Sequence, residues 1–313
     1  MVYFTSGVPE SARKAINFGY YKASLQNCSH HSGDAYLKDE TPLKLFKEAV
    51  AREVDILSIT DNRTDKAFDE LHNELPEHGY GVELIDDNRT LVVSDKDKII
   101  LRILRGIEHF DTEAGHLVSF GYEGRTGYNP KNDNFKRKNI TSNRGGLIYL
   151  PHPANRKIGG IGLERLEKKF MGLLGPGVAL DLNAQELSGH PLVKKITRKP
   201  GNNSDVYFFA RYHKKPLIAT PGSHRAQDVD RAYTLFRKDF FEGTSITEGI
   251  NSALEASVGE DFTDSFSAVK THVSHSIPGT LDWMVAKRLK TKEGRQQLIT
   301  LAKELTGIIK RQE

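Results

Sequence analysis

The stretch from Leu104 to Tyr122, LRGIEHFDTEAGHLVSFGY, constrains this chain most, because it sets Glu108 at the end of one apolar run and His116 at the start of the next. The run IILRILRGI before Glu108 has the length and β-branched content of a buried strand, and HLVSFGY has those of the strand that follows. A third group, His152 in GLIYLPHP, stands at the tip of a further short apolar run. One Glu and two His at a common point supply three ligands of a catalytic zinc-type site and leave the fourth position open. Any one of the three alone reads as an ordinary hydrogen-bonded residue at a strand end. Their recurrence at three strand ends points to metal.

The rest of the chain arranges itself around that stretch. Tyr20 to Gln26 reads as a first strand and is followed by the small, polar SLQNCSHHSGD, the composition of an active-site loop. Thr41 and Pro42 have the pattern of an N-cap and a first helical residue, and they open an amphipathic helix with Leu43, Leu45, Phe46, Ala49 and Val50 on one face. DILSIT then reads as a buried strand ending in Asp61-Asn62, and Lys66 to Leu75 as a returning helix. Gly79 to Lys98 has the alternation of a hairpin, and Arg125 to Arg144 the charge of a solvated loop. Leu163–Met171 and Asp205–Lys214 read as helices, VALDLN (tipped by Asn183) and PLIAT as strands, and Thr247 to Gln312 as mainly helical. The β-α rhythm makes the chain α/β.

Barrels of this class run to roughly 250 residues as one unit, so the 313 residues divide into a lead-in over 1–19, a barrel over 20–257 and a C-terminal helical extension over 258–313. Forty-five Lys and Arg against 41 Asp and Glu leave a charge of +4, which suits an anionic substrate, and no dense basic tract marks a nucleic-acid surface. The single cysteine excludes an internal disulfide and is usual in a reducing compartment. No apolar run approaches the ~20 residues of a membrane span, and the first residues lack the order of a signal peptide. The expectation is a cytoplasmic protein with no membrane contact.

These segments, in this order, resemble those of the polymerase and histidinol phosphatase (PHP) family from about Tyr21 to Leu254. YYKASLQNCSHHSGD is similar to the family's opening segment, ILSITDN to its second, GIEH and AGHLV to its middle ones, and LPHP, VALDLNAQ and TPGSHRAQDVDRAYTLF to the later ones. The resemblance implies a distorted (β/α)7 TIM-like barrel, a metal cluster at its C-terminal face, and phosphoester hydrolysis. It implies metal ligation by Glu108, His116 and His152, with Asp34 and His224 as further ligands. His224 or Asp61 would handle a proton, and Arg63 or Arg225 would hold a phosphate.

The chain departs from the family at five ligand positions. The opening Asp-x-His-x-His frame reads Ser24, Gln26 and Cys28 here, the second segment ends in Asn62 where the family has His, and Gly222 stands for a late Asp. The resemblance therefore implies divalent metal, Zn or Mn, in fewer than three positions, with about one ion at Glu108, His116 and His152. Cys28 reads either as a thiolate ligand or as a small buried residue, and His30 and His31 as solvent-exposed. Two functions follow. One is a phosphoesterase acting on a phosphorylated small molecule or a nucleic-acid end. The other is an impaired pseudoenzyme that binds a nucleotide, a nucleic acid or a protein.

Overall fold

The computed structural model describes residues 2–5, 19–33, 38–111, 115–122, 146–154, 156, 160–171, 178–183, 202–223, 225–258 and 267–274. Within them the strands are β1 (Val2–Thr5), β2 (Tyr20–Asn27), β3 (Ile56–Ile59), β4 (Gly81–Ile85), β5 (Thr90–Asp95) and β6 (Lys98–Asp111). They continue with β7 (Gly115–Phe120), β8 (Leu147–Leu150), β9 (Ala179–Asn183), β10 (Leu217–Thr220), β11 (Ala232–Arg237) and β12 (Val269–Ser274). The longer helices are α1 (Pro42–Ala51), α2 (Lys66–Glu74), α3 (Asn202–Tyr212) and α4 (Ile246–Ala256). A short helical segment, Leu163–Arg165, passes into a π turn over Leu166–Phe170.

The sheet runs β2-β3-β6-β7-β8-β9-β10, and a parallel bridge between Asn27 and Ser223 brings its last strand back to its first. Cys28 N–H donates to Ser223 O at 2.8 Å and Ser223 N–H to Gln26 O at 3.1 Å across that closure. Seven strands thus form a nearly closed α/β barrel, as the sequence led us to expect. Not all are parallel: β6–β7 and β7–β8 are antiparallel, while β2–β3, β3–β6, β8–β9 and β9–β10 are parallel. Burial explains the strand choice, since β3, β8 and β10 are apolar at most positions and buried at every residue.

Helices seal the barrel wall. Thr41 caps α1 by accepting from Lys44 N–H, with Pro42 inside the first turn, as its sequence signals. Leu45, Phe46 and Ala49 of α1 join Phe68 and Leu71 of α2 over Leu57 in the same buried cluster. Arg105 fixes α2 further: its guanidinium lies 3.2 Å from Asp65 and 3.2 Å from Asp69, and 4.2 Å above the Phe68 ring. On the other side Val206 and Ala210 of α3 pack with Leu180, Leu182 and Leu217.

Three elements depart from the sequence reading. The lead-in contains β1, and the stretch read as helical from Thr247 onward contains β12, which pairs parallel with β1 and antiparallel with β11. Strand β11 itself runs antiparallel to β2. The physical reason is edge satisfaction, because β11 covers an edge of β2 and its own outer edge then needs a partner. The helical expectation holds for α4, whose Ser245 and Glu248 form a capping box. The expected C-terminal helical extension beyond Ser274 lies outside the described residues.

At Gly106 strand β6 lies close against Ser58 and Ile59 of β3. A methyl group there would sit 2.3 Å from Ser58 Oγ and 2.7 Å from the Ile59 carbonyl, which is backbone and does not yield. Gly106→Ala is expected to cost roughly 2–3 kcal/mol by overpacking, a fall in melting temperature of about 5 °C by calorimetry. An unchanged transition would show that the two strands separate freely.

Candidate metal centre

The antiparallel turn of the sheet is what gathers the site. Glu108 lies opposite Val118 and Phe110 opposite His116, so these four residues share one face of the β6–β7 pair. Glu108 and His116 are diagonal neighbours there, and the Glu108 carboxylate Oε1 meets His116 Nδ1 directly. Strand β6 continues three residues beyond Glu108, to Asp111, so Glu108 is not the strand tip the sequence suggested. Strand β8 reverses direction again and returns the chain to the same end, where His152 follows Pro151. Its backbone takes a left-handed φ of 35°, unusual for a non-glycine residue and frequent at functional positions. One ligand atom from each of Glu108, His116 and His152 lies within 4.8 Å of the others. The His116 and His152 rings stand 5.1 Å apart.

Behind these residues is a buried polar network that the sequence did not announce. Gln26 Nε2 donates to Glu108 Oε2 at 3.3 Å. Thr220 Oγ1 lies 3.0 Å from both Gln26 Oε1 and Asp181 Oδ2, so its single proton serves one of them. Asp181 Oδ2 also accepts from His152 N–H at 3.3 Å, which orients the histidine's backbone. Burial pushes the Glu108 carboxyl up, but His116, His152 and the Gln26 amide outweigh it and hold the group below its ordinary value. It is therefore an anion in a buried place, facing two imidazoles. One carboxylate and two imidazoles, converging and supported from behind, are a donor set that fits a divalent metal ion.

The structure gives Asp61 a place different from the expected one. It is fully buried, and its Oδ1 accepts from Ser29 N–H at 2.6 Å and Ser32 hydroxyl at 2.8 Å, while Oδ2 accepts from Ser29 hydroxyl at 2.6 Å. These bonds clamp the loop after β2 and leave Asp61 outside the Glu108 cluster. Asp61→Ala would strand three donors and is expected to cost roughly 3 kcal/mol, whereas Asp61→Asn keeps an acceptor for two of them and costs far less. Burial raises the Asp61 carboxyl above its ordinary value. A raised native value stabilises below the unfolded value and loses that contribution as pH rises through the native one, so Asn gains on Asp upward from about pH 4. Urea unfolding of both variants at several pH values tests this.

The other expected residues divide clearly. Asp34 and His224 lie outside the described residues. Arg63 and Arg225 are exposed on the loops after β3 and β10, and Arg63 N–H donates to Glu108 O at 2.8 Å. Ser24 is buried, with its hydroxyl donating to Val229 O at 2.6 Å, and turns to structural work. Cys28 is buried with Sγ 3.9 Å from Thr60 O, and it joins no donor cluster among the described residues. His30 and His31 are not free solvent-exposed rings, as expected from sequence: both are half-buried and lie against Glu70.

No family model and no curated protein matches the chain. Among solved structures it is similar to PsfC from Pseudomonas syringae PB-5123, with TM-score 0.49 and 12% identity over 85% of this chain and 96% of that one. It is also similar to the lesion-specific endonuclease EndoQ from Pyrococcus furiosus (TM-score 0.48, 15% identity, 80% of this chain and 57% of that one). A third is an amidohydrolase from Chromobacterium violaceum (TM-score 0.41, 13% identity, 65% and 87%). The chain thus spans little more than half the length of the endonuclease it resembles. These are likenesses of outline. No helix among the described residues is long and apolar enough to cross a membrane.

Proposed function

We propose that the chain is a PHP-like metal-dependent phosphoesterase working with a reduced ligand set, on a phosphorylated small molecule or a nucleic-acid end. The observation that carries this is the convergence of Glu108, His116 and His152 at the C-terminal end of a nearly closed barrel. Glu108, His116 and His152 would hold a divalent ion, which when bound would supply Lewis-acid polarisation of a phosphoryl oxygen and activation of a water. The chain's own residues do the rest. Glu108 contributes the negative charge, and Gln26 holds its second oxygen. Asp181 fixes the His152 backbone. Arg63 and Arg225, exposed on the loops after β3 and β10, offer guanidinium groups that match a phosphate, and Asp34 and His224 are the further metal ligands that the family resemblance implies.

A specific observation favours the second reading, a pseudoenzyme that binds nucleotide, nucleic acid or protein. Gln26 occupies the first histidine position of the family frame and spends its amide on Glu108, so this position offers a hydrogen bond where a relative would offer a metal ligand.

Chelator-stripped protein reloaded with Zn or Mn should hydrolyse an aryl phosphate, or a 5′-phosphorylated oligonucleotide, only in the presence of the ion. Metal uptake without hydrolysis of any phosphoester, combined with retained nucleotide or oligonucleotide binding, would decide for the pseudoenzyme.

A further inference from the structure

We infer that the chain carries a second divalent-cation site, of the zinc class, built from His30, His31 and Glu70 and separate from the Glu108 centre. Ligand atoms of these three residues lie within 4.8 Å of one another. His31 Nε2 is 2.5 Å from Glu70 Oε2, and His30 Nε2 is 3.7 Å from the same oxygen. Their side chains are between 21 and 30% exposed, so the group is sheltered yet open to an ion from solvent. Donors around tetrahedral zinc stand roughly 3.4 Å apart, given metal–ligand bonds of about 2.1 Å. The His30–Glu70 pair already has that separation, and the His31–Glu70 pair reaches it by opening about 1 Å, within the range of the Glu70 side chain on the surface of α2.

The two elements that carry the donors are fixed independently of any ion. The His30–Ser32 turn is capped by Ser29, ends at Gly33 in the left-handed conformation, and is clamped from below by Asp61 through Ser29 and Ser32. His30 N–H donates to Glu40 O at 2.8 Å, and Glu40 in turn accepts from Ala226 N–H at 2.7 Å and from Lys44 at 2.7 Å. A tight turn with consecutive histidines sets the two rings beside each other, their centroids 4.2 Å apart. Glu70 comes from α2, held by the Arg105 pairs to Asp65 and Asp69 and by Phe68 in the core. Two imidazoles and one carboxylate, with a position left for water, is a recognised zinc donor set. The bland reading of the same residues is an imidazole–carboxylate hydrogen bond with a neighbouring ring. That reading accounts for His31 and Glu70, and His30 adds to it a second imidazole nitrogen 3.7 Å from the same carboxylate oxygen, which completes a three-donor set.

This inference stands whether or not the Glu108 centre hydrolyses phosphoesters. It is tested in the full-length chain carrying His116→Ala and His152→Ala, stripped of metal and titrated calorimetrically with zinc alone. That chain is expected to take up one equivalent. Adding Glu70→Gln, which keeps a hydrogen bond to His31 and removes the anionic ligand, should weaken this uptake at least ~100-fold, and adding His30→Asn should do the same. Cobalt in place of zinc should give visible d–d bands without a thiolate charge-transfer band, so Cys28 is not a ligand. No uptake by the double-Ala chain, uptake indifferent to both Glu70→Gln and His30→Asn, or a thiolate band would each overturn the inference. Retention of the thermal transition in the Glu70→Gln chain shows that its loss of zinc comes from the ligand and not from unfolding.

Discussion

His116→Ala and His152→Ala together should lower the metal affinity of the Glu108 centre by at least ~1,000-fold, because a single monodentate carboxylate is left where three ligands converged. The same change should reverse the pH dependence of stability at this spot. In the natural chain Glu108 sits below its ordinary value because the two imidazoles and Gln26 outweigh its burial. A depressed native value gives stability that is present above the unfolded value, about 4.3, and is lost as pH falls through the native one. Without the imidazoles, burial is the dominant influence and the native value rises above the unfolded one. Stability is then retained at low pH and lost as pH rises. Urea unfolding in the presence of chelator, carried from about pH 2.5 to pH 8, should show opposite slopes from this carboxylate, with stability lost below about pH 4.3 in the natural chain and lost above it in the double variant, and Glu108→Gln added to the double variant should flatten the second. Parallel slopes would mean that the imidazoles do not govern the carboxylate.

What the sequence made legible was local. Thr41 with Pro42 marked a helix start because a cap is made by side chains a few residues apart. The β4–β5 hairpin declared itself through its polar Asp87-Asn88-Arg89 turn, and Asp86, Asp87 and Asn88 there take φ of 53 to 67°, where Asn and Asp are more tolerant than most residues. Glu108 and His116 were legible as partners because only eight positions separate them across one reversal of the chain. What stayed hidden depended on distance along the chain. Gln26 reaches Glu108 across 82 positions and Thr220 reaches Gln26 across 194, so no spacing rule links them. Strands β1 and β12 were hidden for the same reason. Val-Lys-Thr-His-Val-Ser alternates like a strand, but a short alternating run becomes a strand only when a partner edge is at hand, and β11 supplies it. Glu70 was missed because a helix residue carries no signal of a contact with His30 and His31 until the loop that bears them is placed.

Gln26 also decides how the PHP-type ligand set of the proposed function would be completed. Its amide nitrogen already lies 3.3 Å from Glu108 Oε2, so an imidazole at this position would present a nitrogen to the same carboxylate. Cys28→His, Asn62→His and Gly222→Asp would supply the remaining family ligand types, and Gly222, with φ of 53°, tolerates Asp better than it would most side chains. Ser24 is best left alone. Its hydroxyl is fully buried and donates to Val229 O at 2.6 Å, so a carboxylate there would set charge against a carbonyl oxygen with no cation to offset it. Gln26→His, Cys28→His, Asn62→His and Gly222→Asp in one chain should raise metal stoichiometry and accelerate aryl phosphate hydrolysis by at least ~100-fold, equivalent to about 3 kcal/mol of charge stabilisation at the transition state. Single replacements should do little, since ligands that act as a unit are not additive. If the fourfold variant folds and takes up additional metal but hydrolyses no faster than the natural chain, the barrel is not a phosphoesterase scaffold. Gln26 would then be the mark of a site kept for binding.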